Sequence, residues 1–284
     1  MKKVIKFFIL TFSFFFFLNY LDYDDRFLYL LASDRLEKID INRNLNIKLL
    51  KAIPKIDKNL SGITYSPHTD TLFAITNSPR NIYELTKKGE VLREIKLSGF
   101  KDTEDIAHIK EELFAIVDEK HNTFYIVKIN KNTTKIDISN KIKQVSLDYN
   151  NFENFGLEGI TYNTSSDEFY LVNEKFPKKM ILVEGLINKD RITIRTHDNI
   201  AKNNLYLGDF SGIHFNNLRK ELFVISGESK ILAHINKEGE YLSYFDMNVA
   251  SLSKMRNPEG VTIDNEGNIY IVGEPNIFLS LSRK

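Results

Sequence analysis

The chain contains no cysteine. Disulfides, thiolate catalysis and cysteine-ligated zinc are therefore excluded. It also lacks an excess of either charge. Its 39 Lys and Arg stand against 38 Asp and Glu, a net charge of +1. General nucleic-acid binders carry a clear basic excess, so nucleic acid is not an expected partner. No P-loop, dinucleotide fingerprint or H-E-x-x-H occurs, and F-S-G-I at 210–213 lacks the first glycine of a nucleophile elbow. The apolar run Phe7–Leu18, broken only by Thr11 and Ser13, is shorter than the roughly 20 residues of a comfortable membrane span.

What is present is a repeat. The stretch N-F-G-L-E-G-I-T-Y (Asn154–Tyr162) has a second half that returns in altered form four times. The five versions are Leu60–Tyr65, Thr103–His108, Leu157–Tyr162, Phe210–Phe215 and Pro258–Ile263. Each places Ser or Glu before an anchor residue, which is Gly at 62, 159, 212 and 260 and Asp at 105. The spacings between anchors are 43, 54, 53 and 48 residues. Two further runs rich in Ile, Val, Phe and Tyr follow each anchor, too short for solenoid helices. Such lengths suit four-stranded blades, so the fold class is all-β, a five-bladed β-propeller. Ile47–Ile53 is the candidate strand to complete the last blade and remove its open edge. The turns at Lys87–Glu90 and Lys237–Glu240 place glycine where a tight hairpin needs it. The repeated anchor glycines permit either a close strand approach or a turn.

Residues 1–21 read as a targeting segment. Lys2, Lys3 and Lys6 precede the apolar run, and no small-residue cleavage site follows it at Asn19–Tyr23. An uncleaved membrane anchor is the expectation, with a cleaved signal peptide as the alternative. The basic side should stay cytoplasmic, which puts the propeller outside the cytoplasm at the inner membrane, or exported and soluble if cleaved. Residues 22–46 form a charged connector and 47–284 the propeller.

The repeat also aligns acids. Glu104, Glu158 and Glu259 stand before their anchors, at the start of the innermost strands, with Ser61 and Ser211 in the other two copies. Counting five residues from the start of each second run gives Asn77, Asp118, Glu174, Gly227 and Glu274, with Glu119 and Glu228 one step on. Any one of these acids can be a rim group or a loop acceptor. As a set converging on one channel mouth they repel one another unless protons or a cation intervene. Hard oxygen ligands of this kind suit Ca²⁺, so Glu104, Glu158, Glu259, Asp118, Glu174 and Glu274 are the candidate metal ligands. Nucleophilic catalysis finds little support. His108 falls in the aromatic row of Tyr65, Tyr162 and Phe215. His214 falls in the row of Thr64, Thr161 and Thr262, and both read as packing or polar-row residues.

The ordered set of motifs resembles a known family. L-S-G-I-T-Y-S-P-H-T-D-T-L-F-A-I-T-N (Leu60–Asn77), L-S-G-F-K-D-T-E-D-I (Leu97–Ile106) and G-L-E-G-I-T-Y (Gly156–Tyr162) are similar to the bacterial SdiA-regulated, YjiK-like propellers. So are D-F-S-G-I-H-F (Asp209–Phe215), P-E-G-V-T-I-D (Pro258–Asp264) and G-E-P-N-I-F (Gly273–Phe278). Single motifs are shared with NHL-like and phytase-like propellers. The resemblance implies five blades, a membrane-anchored or exported protein and a Ca²⁺ site, with no assigned activity. Asp105 and Gly227 depart from the pattern. Two functions remain open: a calcium-containing module that binds a ligand or protein partner, and a metal-dependent hydrolase of phytase or lactonase type. A phosphate-processing site would need Lys or Arg beside the acids, and only Lys120 and Lys175 stand near them in sequence.

Overall fold

The computed structural model describes residues 6, 8–14, 45–147, 156–174, 178–197, 200 and 207–283. Most of the connector, the interblade segments 148–153 and most of 198–204, Asn154, Phe155 and Lys175 lie outside them. Residues 8–14 are helical, with Phe8, Leu10 and Phe12 exposed. No described helix is long and apolar enough to cross a membrane.

The short β-prone runs form five sheets. The chain opens with strand β1 (Leu45–Ala52). Blade one follows with β2 (Leu60–Ser66), β3 (Thr71–Asn77), β4 (Arg80–Leu85) and β5 (Val91–Ser98). Blade two has β6 (Thr103–Lys110), β7 (Leu113–Asp118) and β8 (Thr123–Lys128); then come a short β9 (Lys135–Asp137) and the outer strand β10 (Lys143–Ser146). Blade three comprises β11 (Leu157–Asn163), β12 (Glu168–Asn173), β13 (Lys179–Glu184) and β14 (Thr193–Thr196). Blade four comprises β15 (Gly212–Asn216), β16 (Glu221–Ser226), β17 (Ile231–Asn236) and β18 (Tyr241–Asp246). Blade five has β19 (Asn257–Ile263), β20 (Ile269–Glu274) and β21 (Ile277–Arg283). Its fourth strand is β1, antiparallel to β21 in a register running from Leu45↔Arg283 to Ala52↔Ile277. The closing strand is thus the one expected from sequence, starting two residues earlier. Hairpins between outer strands turn on Gly89 (φ +69°) and Gly239 (φ +85°), a backbone region that L side chains rarely adopt.

Strand β9 departs from the simple blade count. It pairs parallel with β5 and adds a fifth strand to blade one. Arg93 draws it there by donating from Nη1 to the carbonyls of Asn130 (2.7 Å) and Thr133 (2.9 Å), while Ile136 is buried beneath. The outer edge of blade one is thereby covered.

Five apolar clusters alternate with the five blades, one at each interface. Aromatic pairs bridge several of them. Phe73 of blade one meets Phe114 of blade two at 4.7 Å between centroids, and Tyr170 of blade three stacks on Phe215 of blade four at 5.3 Å.

At the axis the inner strands come too close for side chains. A Cβ on Gly212 would lie 2.0 Å from the carbonyl oxygen of Glu259, and one on Gly260 would lie 2.8 Å from Gly62 Cα. None of the four anchor glycines has positive φ, so close approach rather than turn geometry accounts for them. Asp105 fills the space that Gly62 leaves open. Its carboxylate accepts the backbone N–H of Ile106 and of Ile160, both at 2.8 Å, and so ties blade two to blade three. Two residues beyond the anchors, threonines join neighbouring blades. Thr64, Thr161 and Thr262 accept the backbone N–H groups of His108 (3.0 Å), Phe215 (2.9 Å) and Tyr65 (2.9 Å).

Closure by β1 should be energetically decisive. Ile53 and Ile56, just after it, are 0% and 1% exposed in the cluster between blades five and one. Losing both side chains alone costs about 3–6 kcal/mol. A chain lacking residues 1–56 should therefore unfold at a much lower urea midpoint than one lacking residues 1–25. Equal midpoints would show that β1 does not hold the ring together.

Candidate metal centre

One mouth of the channel is a cavity of about 340 Å³ whose wall is almost wholly polar. Strand geometry explains which residues reach it. The residue before each anchor starts an inner strand at this end, and the row is Ser61, Glu104, Glu158, Ser211 and Glu259. All five line the cavity. A second row comes from the end of each second strand. Leu60, Leu157 and Pro258 pair with Thr76, Asn173 and Gly273, so the next residues, Asn77, Glu174 and Glu274, turn toward the channel.

In blade two the equivalent pair is Thr103↔Asp118, and the residue in that row is Glu119. This corrects the expectation for Asp118. A register shift between His108 and Lys110 adds a residue to the hairpin, so a count from Leu113 stops one position short. Asp118 is fully buried away from the cavity and accepts the backbone N–H groups of Lys101 (2.8 Å) and Asp102 (3.3 Å). It fastens the loop between blades one and two. Thr76 does the same for its own loop by donating to the carbonyl of Pro79 at 2.5 Å.

A third row, three residues before the anchors, escaped the sequence reading. It holds Asn59, Asp102, Gly156, Asp209 and Asn257. Asp209 and Asn257 line the cavity, together with Glu228. Asp209 supplies blade four with a carboxylate where Gly227 has none. Its Oδ1 accepts from Ser226 Oγ (2.5 Å) and from the backbone N–H of Glu228 (3.2 Å). Asp102 joins Glu104 and Glu119 in a cluster in which one carboxylate oxygen of each lies within 4.8 Å of the other two. The signal was available two residues before the Ser/Glu position, as Asp or Asn in four of five copies.

Seven carboxylates therefore line the cavity: Glu104, Glu158, Glu174, Asp209, Glu228, Glu259 and Glu274. Among the described residues no Lys or Arg does so. Lys120 lies outside the lining as well. The electrostatic consequence is large. Burial, then the neighbouring Asp102 and Glu119, push Glu104 up to about 8, although Asn77 Nδ2 donates to its Oε1 at 3.2 Å. Burial holds Glu158 well above the usual carboxylate range, with Glu104, Glu119, Glu259 and Glu174 adding to it. Glu259 is raised in the same way by burial and by Glu104, Asp209, Glu274 and Glu174. Both are half-buried by surface area, and the surface they expose faces the cavity. Glu119 is raised too, chiefly by burial, while accepting the backbone N–H of Gly156 at 3.2 Å. The donor set is all oxygen, rich in carboxylate, with Ser and Asn oxygens beside it. That chemistry fits a hard cation and no soft one.

Comparison with known proteins bears on the family and the fold. The family model described as SdiA-regulated matches residues 40–282. The chain belongs to the SdiA-regulated family. Among solved structures it is similar to the glutaminyl cyclase of Myxococcus xanthus, at 11% identity and a TM-score of 0.57, over 84% of this chain and 96% of that one. It is also similar to a luciferin-regenerating enzyme (11% identity, TM-score 0.49, 84% and 80% covered). A third is a catalytically inactive virginiamycin B lyase from Staphylococcus aureus with quinupristin (15%, 0.45, 81% and 68%). At 11% identity the likeness to the cyclase shows the fold alone.

The raised carboxylates set the pH dependence of stability. A group whose folded value lies above its unfolded value binds protons more tightly in the folded state, so stability falls as pH rises through that window. For Glu104 the window runs from its ordinary 4.5 to about 8. In chelator, the melting temperature should therefore fall between pH 5 and pH 8, and Glu104→Gln should flatten the slope. Melting curves across that range check it; a flat wild-type profile would contradict the electrostatic reading.

Proposed function

We propose that this propeller is a cation-dependent binding module, with a hard divalent ion, Ca²⁺ foremost, held at the acidic mouth. The observation that carries the reading is a cavity lined by seven carboxylates and, among the described residues, no basic side chain. Like charges so placed must take up protons or share a cation. Glu104 would be the central ligand, since it belongs both to the inner row and to the Asp102–Glu104–Glu119 cluster. Glu259 and Glu174 raise the proton affinity of Glu158, and Glu274 and Glu174 that of Glu259, a cost that facing the same ion would lower. The hydrolase reading is weaker. Phosphate processing calls for Lys or Arg directed at the acids, and none of the described ones lines this cavity.

The basic start and apolar run of residues 2–18 support placing the propeller outside the cytoplasm, tethered to the inner membrane. N-terminal sequencing of the protein from its native membrane separates the two forms: a start beyond Leu21 would show an exported, cleaved one.

Thermal unfolding tests the metal. A ligand that binds only the folded chain raises the melting temperature in proportion to RT ln(1 + [L]/Kd), about 2.7 kcal/mol at a hundredfold excess over Kd. Ca²⁺ should raise it saturably, and Mg²⁺ less, because ligands from several blades do not close into its tight octahedron. Glu158→Gln should reduce the Ca²⁺ shift while leaving the chain folded in chelator. Superimposable wild-type curves in chelator and in millimolar Ca²⁺ would remove the metal from this site.

A further inference from the structure

The opposite mouth of the channel is a second cavity, of about 360 Å³, with a different chemistry. Its floor is the row two residues beyond the anchors: Thr64, Ala107, Thr161, His214 and Thr262, one per blade. Thr64, Ala107, Thr161 and His214 line it. Thr262 lies beside His214, its Oγ1 at 3.5 Å from Nδ1.

The hydrogen bonds around this floor are one-sided. Thr64 and Thr161 each accept a backbone N–H from the next blade, which uses an oxygen lone pair and leaves the hydroxyl proton. Among the described residues neither proton has an acceptor. Thr262 accepts the N–H of Tyr65 and can turn its proton on His214 Nδ1. In that arrangement the neutral imidazole carries its proton on Nε2, and Nε2 has no partner among the described residues. Burial pushes His214 down to about 3, so the ring stays neutral at physiological pH. Joining the blades explains why the threonines accept. It does not explain three donors, Thr64 O–H, Thr161 O–H and His214 Nε2–H, placed in one row around one axis with nothing to receive them.

The walls above the floor are apolar. Tyr65, Tyr162 and Phe215 contribute ring surface, and Leu218 stands at the rim, 74% exposed. The two tyrosine hydroxyls are engaged elsewhere, on Asp70 (2.6 Å) and Asp167 (2.9 Å). Asp264, an acid of this mouth, is occupied by Tyr270 Oη (2.8 Å) and Asn268 Nδ2 (2.9 Å). Lys110 and Glu111 both stand at the rim, with Lys110 Nζ donating to Asn188 Oδ1 at 3.1 Å. His108 also lines this mouth, its Nε2 2.9 Å from the carbonyl of Glu111.

We propose that this mouth binds a small carboxylic acid, with its carboxylate received by Thr64, Thr161 and His214 and its apolar end against the rings of Tyr65, Tyr162 and Phe215. A carboxylate has about four lone-pair positions and no donor, so it can take all three of these donors. Bonds from neutral donors to an ionised acceptor are also the stronger kind. The cavity volume suits a ligand of benzoate size. The site is independent of the acidic mouth and needs no metal there.

Calorimetric titration of the full-length chain in mild detergent tests this, with benzoate against the similarly shaped benzyl alcohol. Chelator is present throughout, so that no cation at the acidic mouth can recruit the carboxylate. Benzoate should bind saturably with a Kd of about 1 mM or tighter, and benzyl alcohol about tenfold more weakly or not at all. Thr161→Val should weaken benzoate about tenfold, while Thr161→Ser, which keeps the hydroxyl, should restore it. If Thr161→Val does not fold, the same Val and Ser pair is made at Thr64. Glu158→Gln should leave benzoate binding unchanged. The proposal fails if benzoate gives no saturable heat up to about 10 mM. It fails equally if benzyl alcohol binds as tightly, if the Val variants bind like wild type, or if Glu158→Gln abolishes binding.

Discussion

Everything in this molecule depends on how closely five strands approach one axis. Next to that axis a Cβ would collide with the neighbouring blade's backbone, as Gly212 against Glu259 and Gly260 against Gly62 show. The chain meets the constraint with glycine in four blades and with a single aspartate in the fifth. Asp105 is the exception that keeps the ring from being symmetric. Its buried carboxylate fills the space beside Gly62 and bonds to backbone of its own blade and of blade three. Burial raises its proton affinity, and the N–H bonds oppose that. Once the anchor row is fixed at the axis, period-two alternation and strand direction decide the rest. The residue before the anchor must open at one mouth and the residue two beyond it at the other. One steric constraint therefore builds both cavities.

The acidic mouth is a standing cost to the folded state, and the interblade clusters offset it. Each interface buries large side chains such as Phe73, Phe114, Phe124, Phe169 and Phe278 at under 2% exposure, at about 1.5–3 kcal/mol each. That surplus lets the inner strands carry carboxylates where burial and like charge both disfavour ionisation. Binding sites in rigid scaffolds commonly take this form. Packing far from the site holds groups in an arrangement they would not adopt alone.

The fold was legible because its signals are local and repeated. The anchor and its β-branched runs recur five times, glycine marks the outer turns of two blades, and the closing strand is marked by Pro54 just beyond it. The inner acid row was legible for the same reason, since Glu104, Glu158 and Glu259 sit at a fixed distance from an anchor. The second row was legible only in part. A bulge in the β6–β7 hairpin displaces the count by one, and no residue type announces it. A one-residue slip reverses which side a residue faces, so Asp118 took the place that belongs to Glu119. Asp102 and Asp209 were missed because they precede the strands. Their row became visible only when the inner strands were seen to begin at the channel. Strand β9 could not be foreseen, because its partner lies on another blade and its pairing is long-range.

The composition of the acidic mouth suits the coordination of a cation. Here, among the described lining residues, every charged side chain is negative. Seven carboxylates exceed what one divalent ion needs for charge, and Ser61, Asn77, Ser211 and Asn257 add neutral oxygens between them. A cation with about six to eight ligands can draw on both kinds, taking carboxylates for charge and neutral groups for coordination number. Because these oxygens stand on strands locked together at the axis, the size of the ring is set by the blades. Any ion held there would be selected by that spacing, which the anchor residues set.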